Sequence, residues 1–465
     1  MTIDEVLKTA KRVHFIGIGG SGMTPLAEIL ISNGYTLTGS DNNPGDNIDR
    51  LRSLGAEIVM GQKAENIADL KPDLIVYTAA ILPDNPELAA AKNSGIPSFE
   101  RAELFGAISR LYDNCICVCG THGKTTSTSM LSQIMMESGK DPTLVIGGVL
   151  PLIGSHGRAG KTQNMVAEAC EFRDHFLTLS PDTSIVLNVD DDHMEYFKNM
   201  ENVMASYTKF INMTSHIVIY NGDDNYTVTA VANAEHRPEQ KFISFGKDPK
   251  NDYYAENITY NRGAFAEFDV MRKEGRFCHV ALGIPGKHNV FNALGVIAAA
   301  AENGVSAEDI ESYIGNFRGA GRRFEIYGTF DGVTIADDYA HHPTELTATI
   351  SAAESMGYNS VWAVFQPFTY SRTYMLMDDF AKALSLADHV VLTEIMGSRE
   401  VNNWNVHTSQ LAEKIPGSVW FHERADVVRY VTEHAVPGDL IITLGCGDLY
   451  KEARQMKEYY ENKKA

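Results

Sequence analysis

Seven consecutive residues, Gly120-Thr121-His122-Gly123-Lys124-Thr125-Thr126, combine the residue types that hold a polyphosphate. They follow an apolar run, Cys115-Ile116-Cys117-Val118-Cys119, that reads as a buried strand, and precede a helix-compatible stretch from Ser127 to Glu137. In that setting backbone N–H groups and a helix N-terminus cradle phosphates, a lysine reaches the terminal ones, and a threonine hydroxyl can sit on Mg²⁺. Lys124 and Thr125 fill the last two roles. The spacing is shorter than the common G-x-x-x-x-G-K-[ST], because Val118 stands where its first glycine is expected. Generic GTPases and kinases therefore fit poorly. A glycine turn with an exposed lysine is the plain alternative, and the strand–loop–helix order argues against it. The chain is expected to bind a nucleoside triphosphate.

A second glycine loop lies nearer the amino terminus. Arg12-Val13-His14-Phe15-Ile16 reads as a strand, Gly17-Ile18-Gly19-Gly20-Ser21-Gly22 as a turn, and about Met23 to Asn33 as a helix. Tyr35 to Asp41 reads as a second strand ending in an acid, which completes a G-x-G-x-x-G Rossmann arrangement. Alone, this loop is equally compatible with NAD and with another diphosphate ligand. A purely structural turn is disfavoured by its place between strand and helix. Two nucleotide-type loops in separate domains imply two different ligands.

Further candidates follow strands, where an α/β sheet faces its ligands. Glu168-Ala169-Cys170-Glu171 succeeds the apolar Met165-Val166-Ala167, so a carboxylate there can share Mg²⁺ with Thr125. An exposed helix start is the other reading of these acids. Asn188-Val189-Asp190-Asp191-Asp192-His193 suggests a second metal position or orientation of a transferring phosphoryl group, or else a solvated turn capping the next helix. Asp337-Asp338-Tyr339-Ala340-His341-His342-Pro343-Thr344-Glu345 suits substrate contact better than zinc, because adjacent histidines point in different directions. In Phe365-Gln366-Pro367-Phe368-Thr369-Tyr370-Ser371-Arg372-Thr373 the arginine suits a carboxylate or phosphate, or simply caps a helix or pairs with Asp378 or Asp379.

The elements that must position these groups alternate strand and helix through most of the 465 residues, which implies α/β layers with parallel sheets. Length alone suggests about three domains. The expected divisions are 1–108, a Rossmann-like domain; 109–320, a phosphate-loop domain; and 321–465, a second Rossmann-like sheet. Strand candidates in the last part are Val333–Ala336, Val361–Phe365, His389–Thr393, Val419–His422 and Leu440–Leu444. The polar stretch Asp248 to Gly275 reads as a β-rich excursion, and Gly286-Lys287-His288-Asn289 leads into an alanine-rich helix from about Val290 to Asn303. Asn316 to Arg323, glycine-rich and basic, reads as a linker. A formal charge of −20 opposes non-specific binding to nucleic acid or membrane surfaces, both polyanions. The amino terminus lacks a signal pattern and no apolar run reaches membrane-spanning length. Cys115, Cys117 and Cys119 share one strand face and read as small buried hydrophobes, which fits a reduced cytoplasm.

Taken together and in this order, these segments, with Arg322-Arg323-Phe324-Glu325, resemble the Mur ligase family, ATP-dependent amide-forming enzymes of peptidoglycan synthesis. Asp337 to Glu345 points to its alanine-adding branch. The resemblance runs nearly end to end. It implies that L-alanine is joined to the lactyl carboxylate of UDP-N-acetylmuramic acid, in cell-wall biogenesis and hence cell shape and division. It assigns Gly17, Gly19, Gly20, Ser21, Gly22 and Asp41 to the UDP-sugar rather than NAD. It assigns Gly120 to Thr126, with His288, Asn289, Asn292 and Arg323, to ATP. Thr125, Glu168 and His193 become ligands of Mg²⁺ or Mn²⁺. Tyr339, His341 and Arg372 take the amino acid, with Lys124, His193, His341 and Arg372 as the catalytic set. The third domain is expected to swing in and complete the site, in a monomer or homodimer.

The chain departs from the family pattern in places. Cys170 stands where the branch often has aspartate, and Phe368-Thr369 replaces a frequent His-Arg pair, so one cationic contact is absent. Related ligases carry a carbamylated lysine; Lys209 lies near the analogous distance after His193, but the alanine-adding branch generally lacks one and the role is not assigned. A carboxylate and an amine do not condense in water, so a phosphoryl transfer to the acid, then attack by a neutral amine on the acyl phosphate, is the expected route. Three other readings stay open: a recycling ligase that adds a preformed peptide, an NAD-dependent dehydrogenase fused to an ATPase, and a non-catalytic nucleotide-gated sensor.

Overall fold

The computed structural model describes residues 1–398 and 400–463. The chain forms two compact units. Residues 1–256, 270–278 and 291–314 make the first; residues 257–269, 279–290 and the chain from Gly315 onward make the second.

The first unit opens with a parallel sheet of β1 (Arg12–Ile16), β2 (Thr36–Asp41), β3 (Glu57–Met60), β4 (Leu74–Tyr77) and β5 (Ser98–Glu100), in the order β3-β2-β1-β4-β5. Parallel strands need crossover helices on the sheet faces, so Val13-His14-Phe15-Ile16 and Leu74-Ile75-Val76 are fully buried. Strand order reverses between β1 and β4, and ligands of open sheets meet the strand ends at such a point. The Gly17 loop leaves β1 there. Gly17 takes φ +82°, and its N–H and that of Ile18 donate to the Ser40 carbonyl at 2.8 and 3.1 Å. The following helix is Thr24–Ser32.

A ten-stranded sheet follows: β6 (Asn114–Cys119), β7 (Thr143–Leu150), β8 (Ser155–Arg158), β9 (Asn164–Glu168), β10 (Thr183–Val186), β11 (Ile217–Asn221), β12 (Lys241–Gly246), β13 (Tyr253–Asn261), β14 (Phe265–Arg272) and β15 (Gly275–Pro285). Its order is β15-β14-β13-β12-β11-β10-β6-β9-β7-β8. The chain builds β7, β8 and β9 on one side of β6 and then returns to place β10 on the other. The phosphate loop leaves β6 at this second reversal. The strand expected over Ser184 to Val189 ends earlier, at Val186, because Leu187 to Asp190 turn in to bond the phosphate loop. The β-rich excursion extends the sheet as β13, β14 and the start of β15. The alanine-rich helix runs Asn289–Glu302.

Cys115, Cys117 and Cys119 are fully buried and all six cysteines are free. Their face of β6 joins Leu104, Ile108, Phe176, Tyr207 and Phe210 in one apolar core running beneath the first sheet and the strands around β6. Phe176 and Phe210 stack with centroids 4.6 Å apart.

The second unit carries β16 (Glu325–Phe330), β17 (Val333–Asp338), β18 (Val361–Phe365), β19 (His389–Thr393), β20 (Val419–Phe421) and β21 (Leu440–Leu444), ordered β16-β17-β21-β18-β19-β20. Only β16 pairs antiparallel. Leu346, Ile350, Phe380 and Leu411 bring three helices onto one face; Val427, Val431, Ala453 and Met456 bring two onto the other. The expected α/β architecture, with a Rossmann-like sheet at each end of the chain and a phosphate-loop sheet between, is what the chain forms.

Gly106 lies in the helix Arg101–Ser109 with its Cα against the Thr178 carbonyl, where a Cβ would collide with backbone. Gly106→Ala should therefore destabilise the first unit by about 1–3 kcal/mol through overpacking, despite alanine's better helix propensity. Urea unfolding would show this as a lower midpoint; an unchanged midpoint would mean the two layers part easily.

Candidate functional site

Gly123 has φ +82° and forms the N-cap of the helix Lys124–Glu137, so Lys124 and Thr125 occupy its first turn. The helix thus begins three residues before the Ser127 expected from sequence, because a left-handed glycine is its start signal. The loop is laced to the end of β10: Thr121 N–H donates to the Asn188 carbonyl at 3.1 Å and His122 N–H to Asn188 Oδ1 at 2.8 Å. Gly123 must be glycine, since a Cβ would run into the buried Asn292 side chain.

Lys124 Nζ donates to the carbonyls of Gly120 (2.6 Å) and Thr121 (2.9 Å) and to Glu171 Oε1 (3.0 Å). Burial works against its charge, but Glu171 beside it outweighs that and holds the lysine protonated above its ordinary range. Glu171 is itself buried, so these acids are not an exposed helix start. Thr125 Oγ1 donates to Glu168 Oε1 at 2.8 Å, and Gly147 N–H donates to Glu168 Oε2 at 2.6 Å. A Cβ at Gly147 would lie 2.5 and 2.7 Å from the two Glu168 oxygens, so the hairpin closes directly over that carboxylate.

Thr125 and Glu168 offer two hard oxygen donors side by side beneath the loop. Among the described residues no cluster of three His, Cys, Asp or Glu side chains forms a protein-only cage. That donor set fits Mg²⁺, which keeps waters and substrate phosphates beside one or two protein oxygens. Burial, with Glu171 adjacent, pushes the Cys170 thiol up to about 11, so at neutral pH it is no thiolate ligand.

Asp190 Oδ2 lies 2.9 Å from His122 Nε2, and that hydrogen bond holds its carboxyl well below the usual range. His193 takes a left-handed φ of +58° at the N-cap of Met194–Phe197, with its ring 4.8 Å from that of Phe172. The acidic turn therefore braces the phosphate loop and leads directly into that helix. Lys209 is exposed on the helix Met200–Met213.

At the first loop, Asp41 Oδ2 accepts from Gly19 N–H at 2.9 Å, which places Asp41 on the loop itself. Gly17 abuts Thr78, and Ser21 is exposed. Gly22 faces the Arg101 guanidinium, a neighbour that no motif in the sequence marks. Its only signal was position, just past β5 at a parallel strand's carboxyl end.

In the second unit, the ends of β17, β21 and β18 bring a separate group together. Arg323 lies 5.0 Å above the Tyr339 ring, the His341 ring is 5.5 Å from it, and Phe368 is 6.5 Å from His341. Burial pushes the Tyr339 hydroxyl up to about 12 and the Asp338 carboxyl up to about 6, although Asp338 accepts from Phe324 and Ala340 N–H. Arg372 sits in the helix Tyr370–Met375, capped by Thr369, and its charge reaches Cys446. Asp378 pairs with Lys414. His288 is exposed over Gly286; buried Asn289 donates to the Pro285 carbonyl at 2.7 Å.

Three family models match in chain order: Mur ligase family, catalytic domain, over residues 12–113; Mur ligase middle domain over 118–300; and Mur ligase, glutamate ligase domain, over 322–447. The chain belongs to the Mur ligase family. It is 43% identical over 448 residues to the UDP-N-acetylmuramate–L-alanine ligase of Acetivibrio thermocellus, covering 95% of this chain and 94% of the relative. Identity to the ligase of that name from Caldanaerobacter subterraneus is 40% over 470 residues, covering 100% of both. The fold matches the crystal structure of the UDP-N-acetylmuramate-alanine ligase of Thermotoga maritima with a TM-score of 0.83, at 28% identity over 97% of this chain and 99% of that one. A murein peptide ligase from Psychrobacter arcticus matches with a TM-score of 0.76, at 25% identity over 97% and 99%.

His175 marks a pH dependence in the first unit. Burial, with Arg101 and Arg173 nearby, pushes its ring down to about 4, and outweighs the Glu100 carboxylate 3.1 Å from its Nε2. The unfolded chain takes up a proton near pH 6.5 that the folded chain refuses until about pH 4. Its contribution to stability is complete above pH 6.5 and is lost as pH falls towards 4. Urea midpoints should therefore fall less steeply across that window for His175→Gln than for the wild type; parallel slopes would contradict the assignment.

Proposed function

We propose that this chain joins L-alanine to the lactyl carboxylate of UDP-N-acetylmuramic acid, converting ATP to ADP and phosphate, in peptidoglycan precursor synthesis. The observation that carries this reading is Lys124, Thr125 and Glu168 gathered at the strand reversal of the central sheet, in a chain similar end to end to alanine-adding ligases.

The three functional parts are residues 1–108 for the UDP-sugar, 109–320 for ATP, and 321–465 for the amino acid. Gly17, Gly19, Gly20, Ser21, Gly22 and Asp41 take the sugar nucleotide. Gly120 to Thr126, with His288, Asn289, Asn292 and Arg323, take ATP. Thr125 and Glu168 would hold Mg²⁺ or Mn²⁺, with His193 near a second ion; the metal supplies neutralisation of phosphate charge. Lys124 already lies protonated at the loop and needs only to turn from Glu171 to a phosphate oxygen. Its charge stabilises the γ-phosphoryl group as the muramate carboxylate attacks in line. Tyr339, His341 and Arg372 hold the amino acid, and Arg372 is the group suited to its carboxylate. The neutral amine attacks the acyl phosphate, and the tetrahedral intermediate expels phosphate. Water would destroy the acyl phosphate, so exclusion of water and positioning supply much of the advantage. The setting is cytoplasmic and the enzyme a monomer or homodimer. No described helix is long and apolar enough to cross a membrane.

The likeness to a murein peptide ligase supports a second reading, transfer of a preformed peptide to the same acceptor. Phosphate release from ATP with UDP-N-acetylmuramic acid and each amino acid in turn should be highest with L-alanine; a tripeptide preferred over alanine would select the second reading. Lys124→Ala should lower phosphate release by at least about 10²–10³-fold, the scale of a lost transition-state donor. Positional-isotope exchange in ATP should require the sugar nucleotide. Its absence in fully active enzyme would remove the acyl phosphate.

A further inference from the structure

Arg101 opens the helix Arg101–Ser109 directly after β5. Its side chain crosses the last glycine of the first loop: a Cβ on Gly22 would lie 3.3 Å from Arg101 Cδ and 3.4 Å from Nη1. Glu100, the residue directly before it, lies 3.1 Å from His175 Nε2, so the start of this helix stands against the segment that follows Glu171. The guanidinium therefore lies against the sugar-nucleotide loop, on a helix whose start also meets the segment after Glu171. Among the described residues Arg101 donates no side-chain hydrogen bond and lies in no ion pair, although its side chain is partly buried. Burial accordingly holds it below its ordinary value, opposed by Cys170 and Glu100. Five N–H donors in a fork, desolvated and without an anion, are poised for the oxygens of a phosphate or carboxylate.

We propose that Arg101 binds an anionic group of the sugar nucleotide, either the diphosphate or the lactyl carboxylate, as that ligand passes from the Gly17–Gly22 loop towards Lys124. This rests on the assignment of that loop to a UDP-sugar. The neighbouring Arg173, exposed and stacked 5.3 Å above the Phe172 ring, adds positive potential on the same side.

Calorimetric titration of wild type and Arg101→Gln with UDP-N-acetylmuramic acid, UDP-N-acetylglucosamine and ATP separates the outcomes. Arg101→Gln should weaken UDP-N-acetylmuramic acid by 10-fold or more while ATP affinity stays within 2-fold. An equal loss for UDP-N-acetylglucosamine, which lacks the lactyl group, assigns the diphosphate; a loss confined to the muramic acid assigns the carboxylate. Unchanged affinity for both in a variant with wild-type melting overturns the proposal. Failure of the wild type to bind either sugar nucleotide would instead overturn the loop assignment. Wild-type protein treated with phenylglyoxal covers the case in which Arg101→Gln does not fold. UDP-N-acetylmuramic acid should protect Arg101 from modification in peptide maps, and equal modification with and without it also overturns the proposal.

Discussion

One largely covered lysine and the two carboxylates around it impose the main constraint on this molecule. Lys124, Glu168 and Glu171 gather at the ends of β6 and β9, where an uncompensated charge would cost several kcal/mol. The fold compensates each of them. Lys124 is shared between two loop carbonyls and Glu171; Glu168 is shared between a hydroxyl and a backbone N–H. Each contact is of a kind that phosphate oxygens or a hard cation can replace with little further movement. A charged site can thus be kept ordered without being locked.

The neighbouring structure serves that arrangement. The phosphate loop is held from below by Asn188 and Asp190, and the hairpin carrying Gly147 covers Glu168 so closely that only glycine fits. The helix Thr24–Ser32 is tied to the same hairpin through Glu28, which accepts from Arg50 of the helix Asp46–Ser53 and from Ser155 of β8. A shared apolar core beneath the first sheet and the strands around β6 gives this unit one rigid base. The glycine loop at Gly17 and the phosphate loop at Gly120 are therefore parts of one packed body. In the second unit, Arg322 plays a comparable structural part. It joins Asp337 to the carbonyls of Gly445 and Gly447 and so fixes the loops around Tyr339.

Local pattern carried the element types and both glycine loops. Alternating apolar runs and glycine–lysine–threonine spacing are short-range signals, and they survive folding unchanged. The boundaries that moved did so for tertiary reasons. The strand over Ser184 to Val189 stops at Val186 because the next residues bond the phosphate loop, and the helix after Gly123 starts early because that glycine turns left-handed. Glu171 stood inside a recognised motif, yet nothing in its spacing said that it would be buried against Lys124 rather than exposed. Arg101 and Gly147 gave still less signal, since their partners lie far along the chain.

The sequence by itself determined the family, the order of sheets, the nucleotide loops and the residue types of the chemistry, because each is written in spacing or in periodic burial. Tertiary structure decided the pairings: Lys124 with Glu171, Thr125 and Gly147 with Glu168, His122 with Asp190, and Arg101 beside Gly22. Such pairings join residues 20 to 80 positions apart, as with Gly147 and Glu168 (|i−j| = 21) or His122 and Asp190 (|i−j| = 68). They follow from crossover connections in parallel sheets, which bring distant strand ends side by side, and no local pattern records which ends will meet.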